Sequence, residues 1–388
     1  MEAGAENSGA LYEVLIIGGG VIGLSIAREL SKRGIRRIAV ADRGLIGKEA
    51  SFAAAGMLLP HAETDRPDTF YRFCVESIGL YEAFAAELMD ETGVDVELNR
   101  EGTLYLAFDE RAAAEIGRRF EWQSKSGIGG VERVSASEIM ELEPAISPSV
   151  LEGLFFPNDW HVENRRLVSA LRTYAELNGI SVLENCPLDT ITTGAGRVRG
   201  AFGPGVNLLA DNIVLATGAW TSLITIGGAP FPIAVRPMKG QMICFRSEPG
   251  MLRKIAFGPN AYMVPRADGR ILAGATVEDV GFSKDVTPEG IESLRSGTLT
   301  MAPAIGRSEI VESWAGLRPM AGDGFPVLGD IEGLSGLQVA TAHFRNGILL
   351  APLTAKLIAA AICEGTISEY MEAFGTRRFS AAAASGQS

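Results

Sequence analysis

The sequence predicts an α/β nucleotide-binding domain with a second, β-rich domain inserted into it in two pieces. Three observations carry that prediction: a strand, glycine turn, helix and strand over Tyr12 to Asp42, a buried apolar run closing on small residues at Ile213–Trp220, and groups of short strand-like segments in the stretches around that run. In the first unit, Val14–Ile17 is a continuous apolar run of the kind buried on both faces of a parallel sheet. Gly18, Gly20 and Gly23 follow in G-x-G-x-x-G spacing, and Val21–Lys32 continues as an amphipathic helix. Ile38–Ala41 makes the second strand and ends at Asp42, nineteen residues after Gly23. Gly18 permits the tight turn, Gly20 lets the backbone approach a pyrophosphate, and Gly23 lets helix and strand pack closely. The helix N-terminus, at Val21 and Ile22, offers free N–H groups and a partial positive charge to phosphates. Asp42, followed by Arg43, accepts hydrogen bonds from a ribose hydroxyl and disfavours a 2′-phosphate. A lone glycine triplet says little; here every element the motif requires is in place.

Further along, Ala50–Met57 is a loop of small residues, and 69–92 has helical periodicity. Gly102–Phe108 reads as a strand, Arg165–Leu177 as a helix and Ile180–Leu183 as a strand. Ile213–Trp220 is a buried strand with its turn at Gly218 and belongs with the nucleotide-binding sheet. Residues 230–315 read as β-rich, with strands near 233–237, 241–245, 261–265 and 271–275. Leu337–Ala342 is a strand, and Leu353–Cys363 a closing alanine-rich helix. The expected division is a nucleotide domain over 12–90, 160–225 and 320–375, a substrate and interface domain over 91–159 and 226–319, and disordered tails at 1–10 and 376–388. A ligand is expected between the two domains, where clefts favour forming.

Bulk properties narrow the function. A chain of 388 residues with 47% apolar and 21% charged side chains has material for large cores. Its net charge of −12 argues against nucleic acid or an anionic membrane as partner. Any anionic substrate must therefore meet a local cation. Cys74, Cys186, Cys244 and Cys363 lack ligand spacing and read as reduced thiols of a cytoplasmic protein. With three histidines, His61, His161 and His343, and no Cys/His cluster, no metal site is expected. The apolar start of residues 13–30 is broken by three glycines and by Arg28 and Glu29, so it is not read as a membrane anchor.

Three further segments carry a resemblance. Glu49–Leu58 (E-A-S-F-A-A-A-G-M-L), Trp314–Pro319 (W-A-G-L-R-P) and His343–Leu350 (H-F-R-N-G-I-L-L) resemble hallmark segments of the glycine oxidases, flavoenzymes of the D-amino-acid oxidase family that serve thiamine biosynthesis. The resemblance spans about residues 12 to 375, in family order. It implies an FAD-binding Rossmann-like domain of the glutathione-reductase type with an inserted antiparallel-sheet substrate domain, noncovalent FAD and a homo-oligomer. It also implies oxidative deamination of glycine or another small amine, with oxygen as acceptor and peroxide released. No metal enters the reaction.

Residue by residue, a guanidinium between Leu317 and Pro319 matches a carboxylate bidentately, better than lysine could. The resemblance assigns Arg318 to the substrate carboxylate and places Arg345 and Tyr262 beside the substrate. It assigns His343, Phe344, Asn346, Gly347, Ile348 and Leu349 to the flavin, where backbone N–H groups stabilise charge on the reduced ring. Ala50, Ser51, Ala55, Gly56 and Met57 fall where the family loop runs beside the isoalloxazine. Leu188 sits where relatives hold adenine through backbone groups. Asn260 and Val277 replace larger residues of relatives near the pocket and leave substrate size open. His161 is read as a surface or interdomain residue and His343 as a member of the flavin turn. Neither is read as a base, since the family transfers the Cα hydride of a neutral amine directly and needs orientation above all. Sarcosine, D-alanine and D-proline remain alternative substrates, and a dehydrogenase an alternative to an oxidase. A non-catalytic flavin-binding protein is the rival from another class; retention of both Arg318 and Arg345 counts against it.

Overall fold

The computed structural model describes residues 11–258 and 260–379. Among them a ten-stranded sheet and an eight-stranded sheet dominate, with a two-stranded sheet of Met57–Leu58 and Trp160–His161 near their junction. At the centre of the larger sheet, Leu11–Ile17 lies between Val206–Leu215 and Ile38–Ala41; Leu334–Thr341 and Ser181–Leu183 flank these, and all five run parallel. The unbroken apolar runs are explained by burial on both faces. Val14 and Ile16 enter one core with Ile38 and Val40, while Leu15 and Ile17 enter the opposite core with Ala39 and Ala41. Antiparallel strands Thr190–Gly194 and Arg197–Gly203 extend this sheet.

The eight-stranded sheet draws on 103–107, 132–135, 152–156, 235–246, 255–257, 262–265, 270–274 and 309–321. Two strands expected at 233–237 and 241–245 are one, Val235–Arg246, paired along its length with Glu309–Ala321. Pro237 does not break it because it stands opposite Pro319. An antiparallel ladder has non-hydrogen-bonded pairs that need no N–H across, and the Pro319 carbonyl turns outward to accept from Phe344 N at 3.0 Å.

Other expectations change. The helical stretch 69–92 is two helices, Thr69–Gly79 and Tyr81–Thr92, meeting at Leu80. The regions read as strand-rich also hold helices Glu110–Lys125, Ala136–Leu142 and Pro288–Met301. The last of these is announced by Thr287, whose hydroxyl accepts from Gly290 N, and by a proline in the first turn. Of the expected tails, 1–10 and 380–388 lie outside the described residues, whereas 376–379 is tied down. Thr376 Oγ1 donates to Asp330 O at 2.7 Å, and Arg378 binds Asp323 and the carbonyl of Pro326.

The closing helix starts six residues earlier than expected, at Gly347, and runs to Glu364 with Pro352 inside it. Proline removes the N–H that would serve the carbonyl four residues back, here Ile348. The Tyr81 hydroxyl donates to that carbonyl instead, and Ser77 Oγ donates to Leu349 O at 2.7 Å. The helix has a mean hydropathy of 1.7, and its apolar face packs on Val21–Lys32 and Thr69–Gly79. Its first turn is thereby pinned beside the glycine turn.

Candidate active site

The glycine turn is set by contact with its neighbour strand. A Cβ on Gly18, at φ +111°, would stand 2.2 Å from the Ala216 carbonyl oxygen, and one on Gly23 would stand 1.9 Å from that of Gly18. Asp42 closes the turn, accepting from Gly19 N at 2.8 Å and Gly44 N at 2.9 Å. Of the helix N–H groups expected to be free, Val21 N donates to Ser51 Oγ at 2.9 Å. That bond fixes the serine hydroxyl at the helix N-terminus, where an anion is favoured.

From this turn a cavity of about 490 Å³ extends between the two large sheets, within the range for small-molecule sites. Gly18, Gly20, Val21, Ile22, Asp42, Arg43, Leu188 and Gly218 line one end. Ala50, Ser51, Ala55, Gly56 and Met57 line it further along, and His343, Phe344, Gly347 and Ile348 also face it. Tyr262, Arg318 and Arg345 line it as well, as do Asn260 and Val277. Gly23, Asn346 and Leu349 do not. Gly23 serves packing, Asn346 precedes the closing helix and accepts from Leu350 N, and Leu349 is core.

The turn before that helix is unusual. Ala342 and Phe344 both adopt positive φ, +57° and +49°, a region that costs a residue with a Cβ roughly 1–2 kcal/mol. Between them His343 is buried, with Nε2 3.2 Å from Thr354 Oγ1, and burial lowers its pKa to about 3. It is a neutral hydrogen-bonding group.

Arg318 projects from Glu309–Ala321 and is partly buried. Its Nη1 donates to Thr276 O at 3.1 Å, and it pairs with no carboxylate among the described residues. A Cβ on Gly240, which stands opposite Gly316 on the partner strand and diagonal to Arg318, would fall 2.2 Å from that nitrogen, so only glycine leaves room. Thr276 and Lys239 are held by a buried network: Lys239 Nζ lies 2.8 Å from a Glu278 carboxylate oxygen, and Gln241 Nε2 donates to Glu278 at 2.8 Å. Backbone pairs between residues 239 and 278 close it.

Tyr262 stacks on Phe257, centroids 5.5 Å apart, and Phe257 on Tyr105 at the same spacing. Its hydroxyl lies 3.3 Å from Met242 Sδ and where a Cβ on Gly274 would clash. Burial raises its pKa, with Arg318 and Arg345 pulling the other way, so the phenol stays protonated. Arg345 is half exposed and lies 3.6 Å from the carboxylate of Glu63, which also lines the cavity. Glu63, Lys239, Gly240 and Glu278 escaped the sequence reading because no local spacing marks them. His161, read as a surface or interdomain residue, is buried, beside Met57.

These residues fit FAD. Glycines admit the backbone to a diphosphate, Ser51 and the helix N-terminus meet it, Asp42 faces the cavity for a ribose, and no cysteine lines the cavity to attach a ring covalently. Fold and site define a flavin oxidoreductase.

Comparison agrees. The profile of the FAD-dependent oxidoreductase (DAO) family matches residues 13–361. The chain is 35% identical to a protein named glycine oxidase from Bacillus licheniformis, over 95% of this chain and 97% of that one. It is 36% identical to a bifunctional protein ThiO/ThiG from Synechocystis, over 95% of this chain but 54% of the relative. The crystal structure of glycine oxidase from Geobacillus kaustophilus superposes with a TM-score of 0.87 at 33% identity, covering 92% of this chain and 96% of that one. The chain belongs to the FAD-dependent oxidoreductase (DAO) family, and its cofactor is FAD.

Proposed function

We propose that the protein oxidises glycine, and secondarily other small amino acids, to the imino acid. Glycine loses two electrons and two protons; oxygen takes both and leaves as hydrogen peroxide; water then converts the imine to glyoxylate and ammonia. The observation that carries this reading is Arg318, a guanidinium facing the cavity with carbonyl contacts but no carboxylate partner among the described residues. A planar fork so placed takes a substrate carboxylate in two parallel bonds. Bound FAD supplies the two-electron acceptor. The chain supplies orientation: Arg318 fixes the carboxylate, protonated Tyr262 donates beside it, and the apolar lining around Met242 and Phe257 limits water. Glu63 balances the charge of Arg345 nearby.

The family resemblance supports a role in supplying the imine for the thiazole of thiamine. A homo-oligomer is part of the same reading, from the family resemblance, and four unpaired cysteines support a cytoplasmic site of action. Anaerobic mixing with glycine tests the function. Bleaching of the flavin band, reversed by air with peroxide release, supports it. A band unchanged by glycine but bleached by sarcosine, D-alanine or D-proline reassigns the substrate.

A further inference from the structure

We propose that Arg266 is a positioning residue that orients the peptide between Ala55 and Gly56 toward the flavin. Five of the carbonyls in the loop Ser51–Met57 accept from donors elsewhere in the fold. Asn164 Nδ2 donates to Ser51 O at 2.8 Å and Phe52 O at 3.1 Å. Trp314 Nε1 donates to Ala53 O at 3.0 Å, and Val162 N to Gly56 O at 2.9 Å. Arg266 Nη2 donates to Ala55 O at 2.8 Å.

In a planar trans peptide the N–H points opposite to the carbonyl. Drawing Ala55 O outward therefore turns Gly56 N–H the other way. Ala55 and Gly56 both line the cavity, and neither N–H donates to another described residue. The opposite flank of Gly56 is closed, since a Cβ there would stand 2.0 Å from Val162 O. A fixed N–H facing a ring that gains electrons favours its reduced form.

The clamp is built for rigidity. The Arg266 side chain is 1% exposed, and Nη2 also donates to Asn164 Oδ1 at 3.0 Å. Nη1 lies 3.3 Å from His161 Nδ1, which must accept because arginine only donates. Burial first, and the guanidinium second, hold His161 neutral. Among the described residues the opposing charge in contact is Glu163, 3.6 Å from Nε and 3% exposed. Arg266 also immediately follows the strand Tyr262–Pro265. One short segment thus carries the tyrosine at the substrate and the clamp on the flavin loop.

A purely structural ion pair would hold the fold and leave the flavin indifferent. The test is Arg266→Met combined with Glu163→Gln, which strands no buried charge and keeps an acceptor for Arg166 N. On the FAD-loaded protein, the two-electron potential is read by dye equilibration without substrate, beside the rate of anaerobic reduction by glycine, KM and thermal unfolding. The expected result is a more negative potential, a shift in the redox equilibrium of about tenfold or ~30 mV. Reduction should slow at least about tenfold while KM stays within about threefold. Should the double variant fail to fold, Arg266→Lys keeps the charge but loses the fork, and an intermediate shift is expected. An unchanged potential and reduction rate in a folded variant, with only thermal stability lost, overturns the proposal. Because the potential needs no substrate, a wrong choice of glycine would not disturb it.

Discussion

The two ends of the cavity are built on different principles. At the nucleotide end the contacts are mainly backbone: a glycine turn pressed on Ala216 and a helix N-terminus, with the Asp42 carboxylate tying Gly19 and Gly44. At the proposed substrate end they are side chains, Arg318 and Tyr262 on strands of the second sheet and Arg345 on the turn before the closing helix. The first end rests mainly on the run of about thirty consecutive residues from Tyr12 to Asp42, the second on separate segments spread over residues 262–345. Substitutions should therefore separate cofactor binding from substrate binding.

The largest effect is expected at the nucleotide end. Gly18→Ala drives a Cβ into the Ala216 carbonyl at a φ alanine rarely adopts. The variant should purify without flavin colour or fail to fold; a fully yellow, active variant would break the comparison. Next is Gly240→Ala, which displaces the Arg318 guanidinium while leaving the glycine turn untouched. KM for glycine should rise by roughly one to two orders of magnitude, the scale of a misplacement near 1 Å, with FAD retained.

Glu278→Gln sharpens the contrast further. It removes the charge opposite buried Lys239, whose carbonyl adjoins Arg318. A severalfold rise in KM and a loss of about 1–2 kcal/mol of stability are expected, measured by steady-state kinetics and urea unfolding.

A further effect is in pH. His343 is held neutral by burial with a pKa near 3, against about 6.5 unfolded. The unfolded chain thus takes up a proton first, so the native state loses stability as pH falls from about 6.5 toward 3, by about 1.4 kcal/mol per pH unit. His161 is lowered too and adds to the slope. His343→Gln should flatten urea midpoints between pH 7 and 5 relative to the parent.

The same contrast explains what could be read from the chain. The βαβ unit is local, so the residue types of Val14–Asp42 carry its whole geometry in their spacing. Arg318 and Tyr262 reached the cavity as the resemblance implied, but Gly240, Glu278 and Lys239 are joined to Arg318 only through strand pairing. The tolerance of Pro237 and Pro352 inside a strand and a helix is non-local in the same way. One is harmless opposite Pro319, and the other is compensated by the Tyr81 hydroxyl; neither partner is near in sequence. Pro288–Met301 differs, because Thr287 and Pro288 announced a helix that the surrounding strand pattern obscured.

Arg318→Ala tests the central claim most directly, with bound FAD per chain and KM for glycine measured on one preparation. Losing a buried charge-paired contact costs about 2–5 kcal/mol, so KM should rise by about two orders of magnitude or more while flavin content matches the parent. An unchanged KM, or flavin lost together with glycine affinity, would contradict the separation of the two ends.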